Sequence, residues 1–351
     1  MSELGNEHGG FARETGREPD AVGPEPLQVR PIVGTVIGDP CGIGPEVVAK
    51  AWCSGRVHGC SRPVLIGSAE AMRRALQTVS LSARVRVVES PQDLSDSPEI
   101  LDVLDTEALD PAAITVGRDS ADCGRACAAW LDEADRLARR GEMAATVMGP
   151  ISAEAMEKAG VLDRVVKINP GESYLLLLTG PLRVAHLTDH IPLRRISELL
   201  NEDLVASALR TLDMSLRRWG LSAPRIGVAG FNPHAHGQEE ERHIAPGVRR
   251  ARDAGILAEG PISPDTVFRH CIEGRYDVVL AMYHDQGHIP VKTWGFSGNA
   301  VVILGLPYLH LSVAHGTAYD IAGRGVADHS MMLNAMRAAG YLAAGAGFPK
   351  E

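Results

Sequence analysis

The chain alternates short apolar runs with stretches in which apolar residues recur every three or four positions. The runs lack the strict polar alternation of a half-exposed strand, so they predict strands that are buried on both faces of a sheet. They comprise residues 33–37, 63–67, 84–88, 144–148, 184–188, 226–231, 276–282 and 300–304. Because predicted strands and helices alternate throughout, we expect an α/β fold with a largely parallel sheet.

The stretches with helical spacing predict helices that each bury one stripe of side chains. One helix starts near Asp119, and its stripe consists of Ala126, Trp130, Ala134 and Leu137. Another has Asn201 as its predicted N-cap and Gly220 as its stop signal. Its stripe consists of Val205, Leu209, Leu212, Leu216 and Trp219.

The size and charge of the chain argue against some classes of function. A chain of 351 residues is long enough for two domains or for one large domain with a divided core. A net charge of −9 and a pI of about 5.8 disfavour nucleic-acid binding, which needs a basic face. No apolar run approaches the roughly 18 residues of a membrane helix, and the polar N-terminus is unlike a secretory signal. We expect a cytoplasmic protein with no nucleic-acid or membrane partner, and a disordered extension over residues 1–30.

The six cysteines show neither a CxxC motif nor any paired spacing. Cys123 and Cys127 are four residues apart on a predicted helix and therefore lie on one face of it. Small buried thiols in a reducing cytoplasm are the preferred interpretation. A zinc–thiolate site is the alternative.

Three histidines, His190, His234 and His284, each come shortly after a predicted buried strand. In open α/β sheets, ligands bind beyond the carboxyl ends of strands, and three imidazoles with an open fourth position are typical of a catalytic zinc site. We expect a divalent metal there, zinc in the first place, with cobalt, nickel, magnesium or manganese as substitutes. Asp189 and Asp285 adjoin two of these histidines and could orient them or act as a base. Hydrogen-bonded loop histidines without a metal are the alternative.

Two glycine-rich stretches add candidate ligand contacts. Residues 38–46, GDPCGIGPE, predict a tight turn into a helix but match neither a Walker loop nor the GxGxxG spacing. Residues 312–328, SVAHGTAYDIAGRGVAD, predict a loop that lets a ligand approach the backbone closely.

The stretch HGTAYDIAG (315–323) resembles the nucleotide loop of the isocitrate and isopropylmalate dehydrogenase group, and GDPCGIGPE resembles that group's opening turn. The resemblance implies NAD rather than NADP, because an acid at Asp320 accepts hydrogen bonds from ribose hydroxyls and repels a 2′-phosphate. The nucleotide contacts that it implies are His315, Gly316, Thr317, Asp320 and Ala322.

A closer resemblance covers residues 32–345. GDPCGIGPE, MGP, DHIPL, NPHA, MYHDQGHIPVK, LGLP and HGTAYDIAG occur in the order found in the 4-hydroxythreonine-4-phosphate dehydrogenase family. It implies a homodimer of two-domain α/β/α subunits, with the active site in the cleft between the domains and with ligands from both subunits. It also implies that His190, His234 and His284 hold the metal and that Lys292 contacts the substrate.

The same resemblance suggests how the chain divides into domains. We expect a discontinuous nucleotide-binding domain made of residues 31–150 and 300–347. Residues 151–299 would then form the domain for metal, substrate and dimerisation.

The substrate-contacting positions depart from the family pattern. Residues 169–174 are NPGESY where the family has a Gly-His-Thr-Glu segment, His310 replaces an arginine, and Val301 replaces an asparagine. An arginine fork holds phosphate by paired, charge-assisted bonds, which a neutral histidine cannot replace. The substrate contacts expected at the family's positions are Gly171, Glu172, Lys292, Val301 and His310.

These departures favour an unphosphorylated substrate such as a cis-dihydrodiol carboxylate. The alternative is a phosphorylated substrate, either 4-hydroxythreonine 4-phosphate or a 4-phosphoerythronate or threonate. In that case Arg164 or Lys167 would supply the missing phosphate contact.

The reaction expected is NAD-dependent oxidation of a secondary alcohol β to a carboxylate, followed by loss of CO2. Lys292 would orient the carboxylate or relay a proton, and Asp285 would orient His284 or act as the base. Two alternatives come from other classes: a metal-dependent lyase or hydrolase without redox chemistry, and a non-catalytic binding protein.

Overall fold

A twelve-stranded sheet forms the centre of the computed structural model, which describes residues 26–295 and 298–349. The strands are β1 (Ile32–Val36), β2 (Arg62–Ile66), β3 (Arg84–Val87), β4 (Ile100–Leu104), β5 (Ala145–Met148), β6 (Tyr174–Thr179), β7 (Leu182–His186), β8 (Ile226–Ala229), β9 (Ala258–Ile262), β10 (Val278–Ala281), β11 (Ala300–Leu304) and β12 (Leu309–Val313). Their spatial order is β3-β4-β2-β1-β5-β12-β11-β6-β7-β10-β8-β9.

Ten α-helices of the described chain pack against this sheet or against one another. They are α1 (Gly44–Cys53), α2 (Ala69–Thr78), α3 (Ala121–Arg139), α4 (Ala153–Lys158), α5 (Ile196–Leu199), α6 (Glu202–Arg218), α7 (Ala245–Asp253), α8 (Val267–Ile272), α9 (His284–Trp294) and α10 (Ser330–Ala343). A π-helical turn, Glu240–Ile244, leads directly into α7.

The direction of the strands reverses at the centre of the sheet. Eight of the eleven strand pairs are parallel, and the three antiparallel pairs are β12–β11, β11–β6 and β6–β7. The half containing β1 and β5 therefore runs opposite to the half containing β10 and β8. The α/β class and the largely parallel sheet are confirmed.

This reversal decides which loops share an edge of the sheet. The last residue of β7, His186, pairs with Leu175, which pairs with Ile303, which in turn pairs with His310 near the start of β12. The carboxyl ends of β7, β8 and β10 thus lie at the edge where β5 and β12 begin. The histidines that follow those strands and the glycine-rich loop that follows β12 lie at opposite edges.

Alternate residues of the central strands bury into two separate cores, because successive side chains in a strand point to opposite faces. Leu176 and Val302 belong to the larger core, together with Leu209 of α6. Leu177 and Val301 belong to a smaller core, together with Val291 of α9. The face that carries Val301 is the one that reaches the candidate active site.

The two predicted helices form with the expected caps and stripes. The Asn201 side chain accepts a hydrogen bond from Leu204 N at 2.9 Å and caps α6. Ser120 caps α3, and every residue of both predicted stripes is buried. The eight predicted strands form within two residues of their predicted starts, whereas β4, β6, β9 and β12 were not predicted.

Residues 1–25 of the predicted N-terminal extension lie outside the described residues. Its last residues contact the body of the protein: Leu27 N donates to Gly59 O at 2.9 Å, and the Arg30 guanidinium pairs with Asp96. Within residues 26–295 and 298–349, no helix is both long and apolar enough to cross a membrane.

Candidate active site

Helix α9 presents a stripe of polar side chains at successive turns. His284, His288 and Lys292 are spaced four residues apart, so they lie on one face of the helix. The His284 and His288 rings stack with their centroids 3.6 Å apart. The helix begins immediately after β10, which places His284 in its first turn at the carboxyl end of the strand.

His190 lies beside this stripe, although it follows a different strand. The centroids of the His190 and His284 rings are 4.7 Å apart. Nδ1 of His284 lies 2.7 Å from the Asp285 carboxylate in a hydrogen bond. Nδ1 of His190 lies 3.0 Å from Oδ1 of Asp189, although this oxygen has no hydrogen-bond partner among the described residues. Both imidazoles therefore have Nδ1 against a carboxylate, which leaves Nε2 for a ligand.

Two further histidines pack beneath this pair in the neutral state. Burial lowers the pKa of His186 to about 3 and that of His288 to about 4. A Cβ at Gly287 would lie 2.3 Å from Nε2 of His186, so only glycine lets α9 approach this ring. We refer to His190, His284, His288 and His186 as the histidine edge. Because the buried ring of His186 and the half-buried ring of His288 are uncharged, they add no repulsion against a bound cation.

The ring contacts that join the members of the histidine edge do not include His234. Among the described residues, the ligand atoms of His190, His234 and His284 do not all lie within 4.8 Å of one another. His234 instead lies near Asp265, whose pKa is lowered mainly by hydrogen bonds from Ser263 and Thr266 and to a smaller degree by His234. The structure thus unites two of the three predicted metal ligands.

The turn that carries His234 is held in an unusual conformation by a buried glutamate. His234 and Ala235 both have positive φ angles, 55° and 57°, a region that costs a non-glycine residue of order 1–3 kcal/mol. The Glu240 carboxylate accepts hydrogen bonds from Phe231 N and Asn232 N, each at 2.7 Å. Burial alone would raise the pKa of Glu240, but these bonds hold it below its usual value.

A cleft of about 510 Å³ opens beside the histidine edge. Its polar lining consists of Lys167, Asn169, Asp189, His190 and Ser312. Its apolar lining consists of Met148, Val166, Ile168, Pro170, Leu175, Ile191, Val301, Ile303 and Val313. The cleft crosses the face of β12, β11 and β6, where the direction of the sheet reverses.

The predicted substrate residues differ in whether they line this cleft. Val301 lines it, and exposed Gly171 and Glu172 follow the lining residues Asn169 and Pro170 in the same loop. Lys292 is exposed on α9.

His310 departs from the expectation. It is 4 % exposed and does not line the cleft; its Nδ1 lies 2.7 Å from the Thr146 hydroxyl. Because the ring is buried beside the Thr146 side chain of the neighbouring strand β5, its position argues against direct contact with a substrate.

The glycine-rich segment 314–327, here called the nucleotide loop, is braced by helix α1. The Glu46 carboxylate accepts hydrogen bonds from Gly323 N at 2.6 Å and Gly325 N at 2.9 Å. The Lys50 ammonium donates to the carbonyls of Gly325 and Ala327 at 2.8 and 2.7 Å. These bonds are charge-assisted, which makes them stronger than bonds between neutral groups.

The opening turn braces the same loop from the other side. Ile43 N donates to Thr317 O at 2.9 Å, and a Cβ at Gly42 would lie 2.7 Å from Cβ of Thr317. The Tyr319 hydroxyl donates to Oδ2 of Asp39 at 2.5 Å. The two glycine-rich stretches are thus parts of one assembly, which holds Thr317 buried and leaves Gly316 and Asp320 exposed.

A second cluster of candidate ligand atoms lies under the opening turn. Asp39, Cys41 and Cys123 are buried with their ligand atoms within 4.8 Å of one another. Among the described residues, this group meets the distance expected of metal ligands, whereas the sequence predicted a metal at the histidines. Cys41 was not predicted to join the helical pair Cys123 and Cys127, because their proximity depends on the fold.

Sequence reasoning missed the residues that position the site from within. Gln286 accepts from Met282 N at 2.7 Å and donates to Gly230 O at 2.8 Å, which ties together the ends of β10 and β8. Glu240 and Lys50 act in the same way on other loops. Long-range backbone contacts of this kind leave no local signal, although Gln286 and Lys50 fall within or beside recognised motifs.

The chain is similar to known proteins along most of its length. A family model described as pyridoxal phosphate biosynthetic protein PdxA matches residues 59–339. A Novosphingobium aromaticivorans protein, provisionally named a 4-hydroxythreonine-4-phosphate dehydrogenase, is 60% identical over 92% of this chain and 97% of its own length.

Two solved structures share the fold along nearly their whole length. A 4-hydroxythreonine-4-phosphate dehydrogenase from Burkholderia phymatum superposes with a TM-score of 0.80 at 34% identity, covering 90% of this chain and 98% of that one. A terephthalate 1,2-cis-dihydrodiol dehydrogenase from Burkholderia xenovorans LB400 has a TM-score of 0.64 at 31% identity, covering 89% of this chain and 98% of that one. All three relatives are named as dehydrogenases.

Proposed function

Because the chain belongs to the family described as pyridoxal phosphate biosynthetic protein PdxA, we propose that it is a dehydrogenase that requires NAD and a divalent metal. Its substrate is a hydroxy acid with a secondary alcohol β to a carboxylate, and the oxidised product loses CO2. The observation that carries the proposal is the pairing of His190 with His284 beside the cleft, with each ring next to a carboxylate.

The histidine edge has the chemistry of a site for a divalent metal. His190 and His284 keep Nε2 free while Asp189 and Asp285 contact Nδ1, the arrangement usual for metal-bound imidazoles. The 3.0 Å contact between Nδ1 of His190 and Oδ1 of Asp189 would become a hydrogen bond that orients the ring when a metal is bound. Zinc is the first expectation for imidazole ligands, with cobalt, magnesium or manganese as substitutes.

The third ligand, His234, is proposed to come from a second copy of the chain. Among the described residues no ring contact joins His234 to the other two, and the side chain of His190 is 78% exposed; both observations support this division. A homodimer would cover these surfaces and complete two identical sites, since two-fold interfaces are self-complementary.

The nucleotide loop is the proposed site for NAD. His315, Gly316, Thr317, Asp320 and Ala322 would contact the dinucleotide. Gly316 is exposed with nothing within 4 Å of a Cβ built on it, so a ligand has access to its backbone. Nε2 of His315 is buried without a hydrogen-bond partner among the described residues, which leaves it free to bond a ligand. When bound, NAD supplies the hydride acceptor and the metal supplies the Lewis acid that lowers the pKa of the substrate hydroxyl.

The remaining roles in the reaction are assigned to side chains of the chain itself. Asp285 orients His284 through its 2.7 Å hydrogen bond, or takes the hydroxyl proton. Lys292, two turns further along α9, orients the substrate carboxylate or relays a proton. Val301 shapes the floor of the cleft, while Gly171 and Glu172 border its entrance. His310, which pairs across the sheet with the lining residue Ile303, supports the border of the cleft through its contact with Thr146.

The lining of the cleft supports an unphosphorylated substrate. Nine of its fourteen lining residues are apolar and one, Lys167, is a cation. A phosphate needs several charged or backbone donors, whereas an apolar ring such as that of a cis-dihydrodiol carboxylate fits an apolar wall.

A phosphorylated four-carbon hydroxy acid is the second candidate substrate. Lys167 lines the cleft as that candidate requires, and two of the relatives are named for a phosphorylated substrate. Arg164 does not serve this role in the present arrangement, because its guanidinium pairs with Asp132 at 3.1 Å.

The test is NADH formation by zinc-loaded protein on three substrates at matched concentration. They are an unphosphorylated cis-dihydrodiol carboxylate, 4-phosphoerythronate and 4-hydroxythreonine 4-phosphate. We expect turnover of the dihydrodiol alone, and Lys167→Met should leave it nearly unchanged. Turnover of a phosphorylated substrate that Lys167→Met lowers sharply would establish the second candidate instead. No NADH formation from any hydroxy acid would contradict the assignment as a dehydrogenase.

A further inference from the structure

Two thiols meet in the core beneath the nucleotide loop, although they lie 82 positions apart in the sequence. Sγ of Cys41 and Sγ of Cys123 are 3.3 Å apart, and both residues are 0% exposed. Cys41 belongs to the opening turn after β1, and Cys123 is the third residue of α3. We call these two residues the thiol pair, and we propose that they are a site of reversible oxidation that closes to a disulfide and loosens the nucleotide loop.

The distance between the sulfur atoms favours a thiol pair over a metal site. Two thiolates on a tetrahedral zinc, with Zn–S bonds of about 2.3 Å, lie roughly 3.8 Å apart. The observed 3.3 Å is shorter and suits a hydrogen bond between two thiols. A disulfide needs the atoms about 1.2 Å closer, at a bond length of about 2.05 Å.

The two thiols are chemically unequal. Cys123 lies in the first turn of α3, where the partial positive charge of the helix N-terminus stabilises a thiolate. The hydrogen bond that the two thiols share lowers the pKa of the Cys123 thiol and raises the pKa of the Cys41 thiol. Cys123 is therefore the nucleophile and Cys41 the resolving thiol.

The oxidant in the proposed reaction is a peroxide, which accepts the two electrons that the thiols lose. The Cys123 thiolate attacks one peroxide oxygen, the O–O bond breaks, and the leaving oxygen takes a proton to become water. The resulting sulfenic acid is attacked by the Cys41 sulfur, which forms the S–S bond and releases the second water. Two thiols are oxidised by two electrons in all, and one hydrogen peroxide is reduced to two waters.

Burial of the thiol pair sets the kind of oxidant that reaches it. Both sulfur atoms are enclosed, so a small uncharged molecule such as hydrogen peroxide can arrive through fluctuations of the surrounding loops. A large disulfide such as oxidised glutathione cannot. Partly exposed Cys53 offers an internal comparison, since it is accessible without such fluctuations.

Closure of the disulfide acts on the nucleotide loop through the opening turn. Cys41 O accepts a hydrogen bond from Gly117 N at 2.8 Å, and the nearby Ile43 N donates to Thr317 O. Asp39, whose Oδ1 accepts from Cys41 N at 2.8 Å, also holds the Tyr319 hydroxyl. Drawing Cys41 toward α3 strains these bonds. This consequence rests on the proposed role of the loop in binding NAD.

The experiment uses the full chain, freed of metal with a chelator and treated with hydrogen peroxide. Unreduced peptides are then mapped by mass spectrometry. We expect a linked Cys41–Cys123 peptide pair, lighter by two hydrogens than the free peptides and separated again by dithiothreitol. Cys41→Ala and Cys123→Ala should each abolish it, while Cys271→Ala, a matched buried cysteine elsewhere, should retain it. Free thiols at both positions in the oxidised wild-type protein, or links to Cys127 instead, would overturn the proposal.

The effect on the loop is measured on the same samples by NADH titration. Oxidation should raise the Kd for NADH roughly tenfold, the loss expected when one or two hydrogen bonds that hold the loop are strained, and dithiothreitol should restore it. An unchanged Kd in protein that contains the mapped disulfide would overturn the link to the loop. If reduced protein binds no NADH, the proposed function fails, and peptide mapping still decides whether the thiol pair closes.

Discussion

The nucleotide loop and the histidine edge differ in how firmly charged side chains of the chain hold their backbone. The loop is held by Glu46 and Lys50 on one side and by the opening turn on the other, largely through charge-assisted bonds. At the histidine edge, Oδ1 of Asp189 and Nε2 of His186 are buried without partners among the described residues. His190 is largely exposed.

This difference indicates which region a single chain can hold in place with its own contacts. Buried polar groups without partners are costly, commonly by about 1–3 kcal/mol each, so the histidine edge is most stable when something else supplies the missing contacts. A ligand and a second subunit are the natural sources of those contacts. In the nucleotide loop one side-chain atom, Nε2 of His315, is in the same state, while the backbone of the loop is held by Glu46 and Lys50.

The largest effect expected from any single substitution is at the histidine edge. His284→Ala should lower kcat by at least about a thousandfold, because it removes a metal ligand and with it the polarisation of the substrate hydroxyl. The melting temperature should change by only a few degrees. His236→Ala, an exposed histidine in the same half of the chain, is the matched control. Near-normal turnover by His284→Ala would remove His284 from the metal site.

Mixed dimers test whether the edge is completed by a second subunit. His284→Ala and His234→Ala chains should each be inactive alone. Co-expressed chains should regain about a quarter of wild-type turnover, because half the dimers are mixed and each of these has one intact site. Absence of any recovery in mixed dimers of confirmed composition would show that His234 and His284 of one site belong to the same chain.

A smaller effect is expected where the chain braces the nucleotide loop. Glu46→Gln keeps the shape but removes the charge that accepts from Gly323 and Gly325, and a hydrogen bond to a charged group contributes about 1.5–3 kcal/mol. The Kd for NADH should rise roughly tenfold with kcat at saturating NAD little changed. Glu154→Gln, at an exposed helix position, should bind NADH normally. Equal affinity in both variants would mean that Glu46 does not shape the cofactor site.

The smallest expected effect is on stability at acid pH, to which two histidines outside the histidine edge contribute beside His186 and His288. Burial lowers the pKa of His58 and of His310 to about 4, whereas an unfolded histidine titrates near 6.5. The unfolded chain therefore binds protons first as the pH falls, so stability is full above pH 6.5 and declines toward pH 4. The slope should be about 1.4 kcal/mol per pH unit for each histidine.

Urea denaturation between pH 7 and pH 4.5 measures that slope. His310→Gln should reduce it, and His236→Gln should leave it unchanged. An identical slope in all three proteins would mean that His310 already carries its proton in the folded state.

Local patterns predicted most helices and strands, because these elements depend on residues that are close in the sequence. The cap at Asn201 and the buried stripe ending at Trp219 follow from helical spacing alone. Strand β12 escaped prediction because Ser312 and His310 interrupt its apolar character, and their burial depends on the neighbouring strands β5 and β11.

The candidate site was predictable in its residue types but not in its arrangement. Motif resemblance selected His190 and His284, and Val301 does line the cleft. No sequence pattern could show that the strand direction reverses at β11, which separates the histidine edge from the nucleotide loop. Nor could it show that Cys41 touches Cys123, since that contact joins the turn after β1 to the start of α3.

Removal and return of the metal tests whether the histidine edge acts through a bound cation. Wild-type protein treated with a chelator and then dialysed should form no NADH from the preferred hydroxy acid while still binding NADH through its intact nucleotide loop. Adding zinc, cobalt or manganese should restore turnover with about one metal ion per chain, and the same addition to His284→Ala should not. Full turnover by protein shown to be free of metal would contradict the central claim that the histidine edge acts through a bound cation.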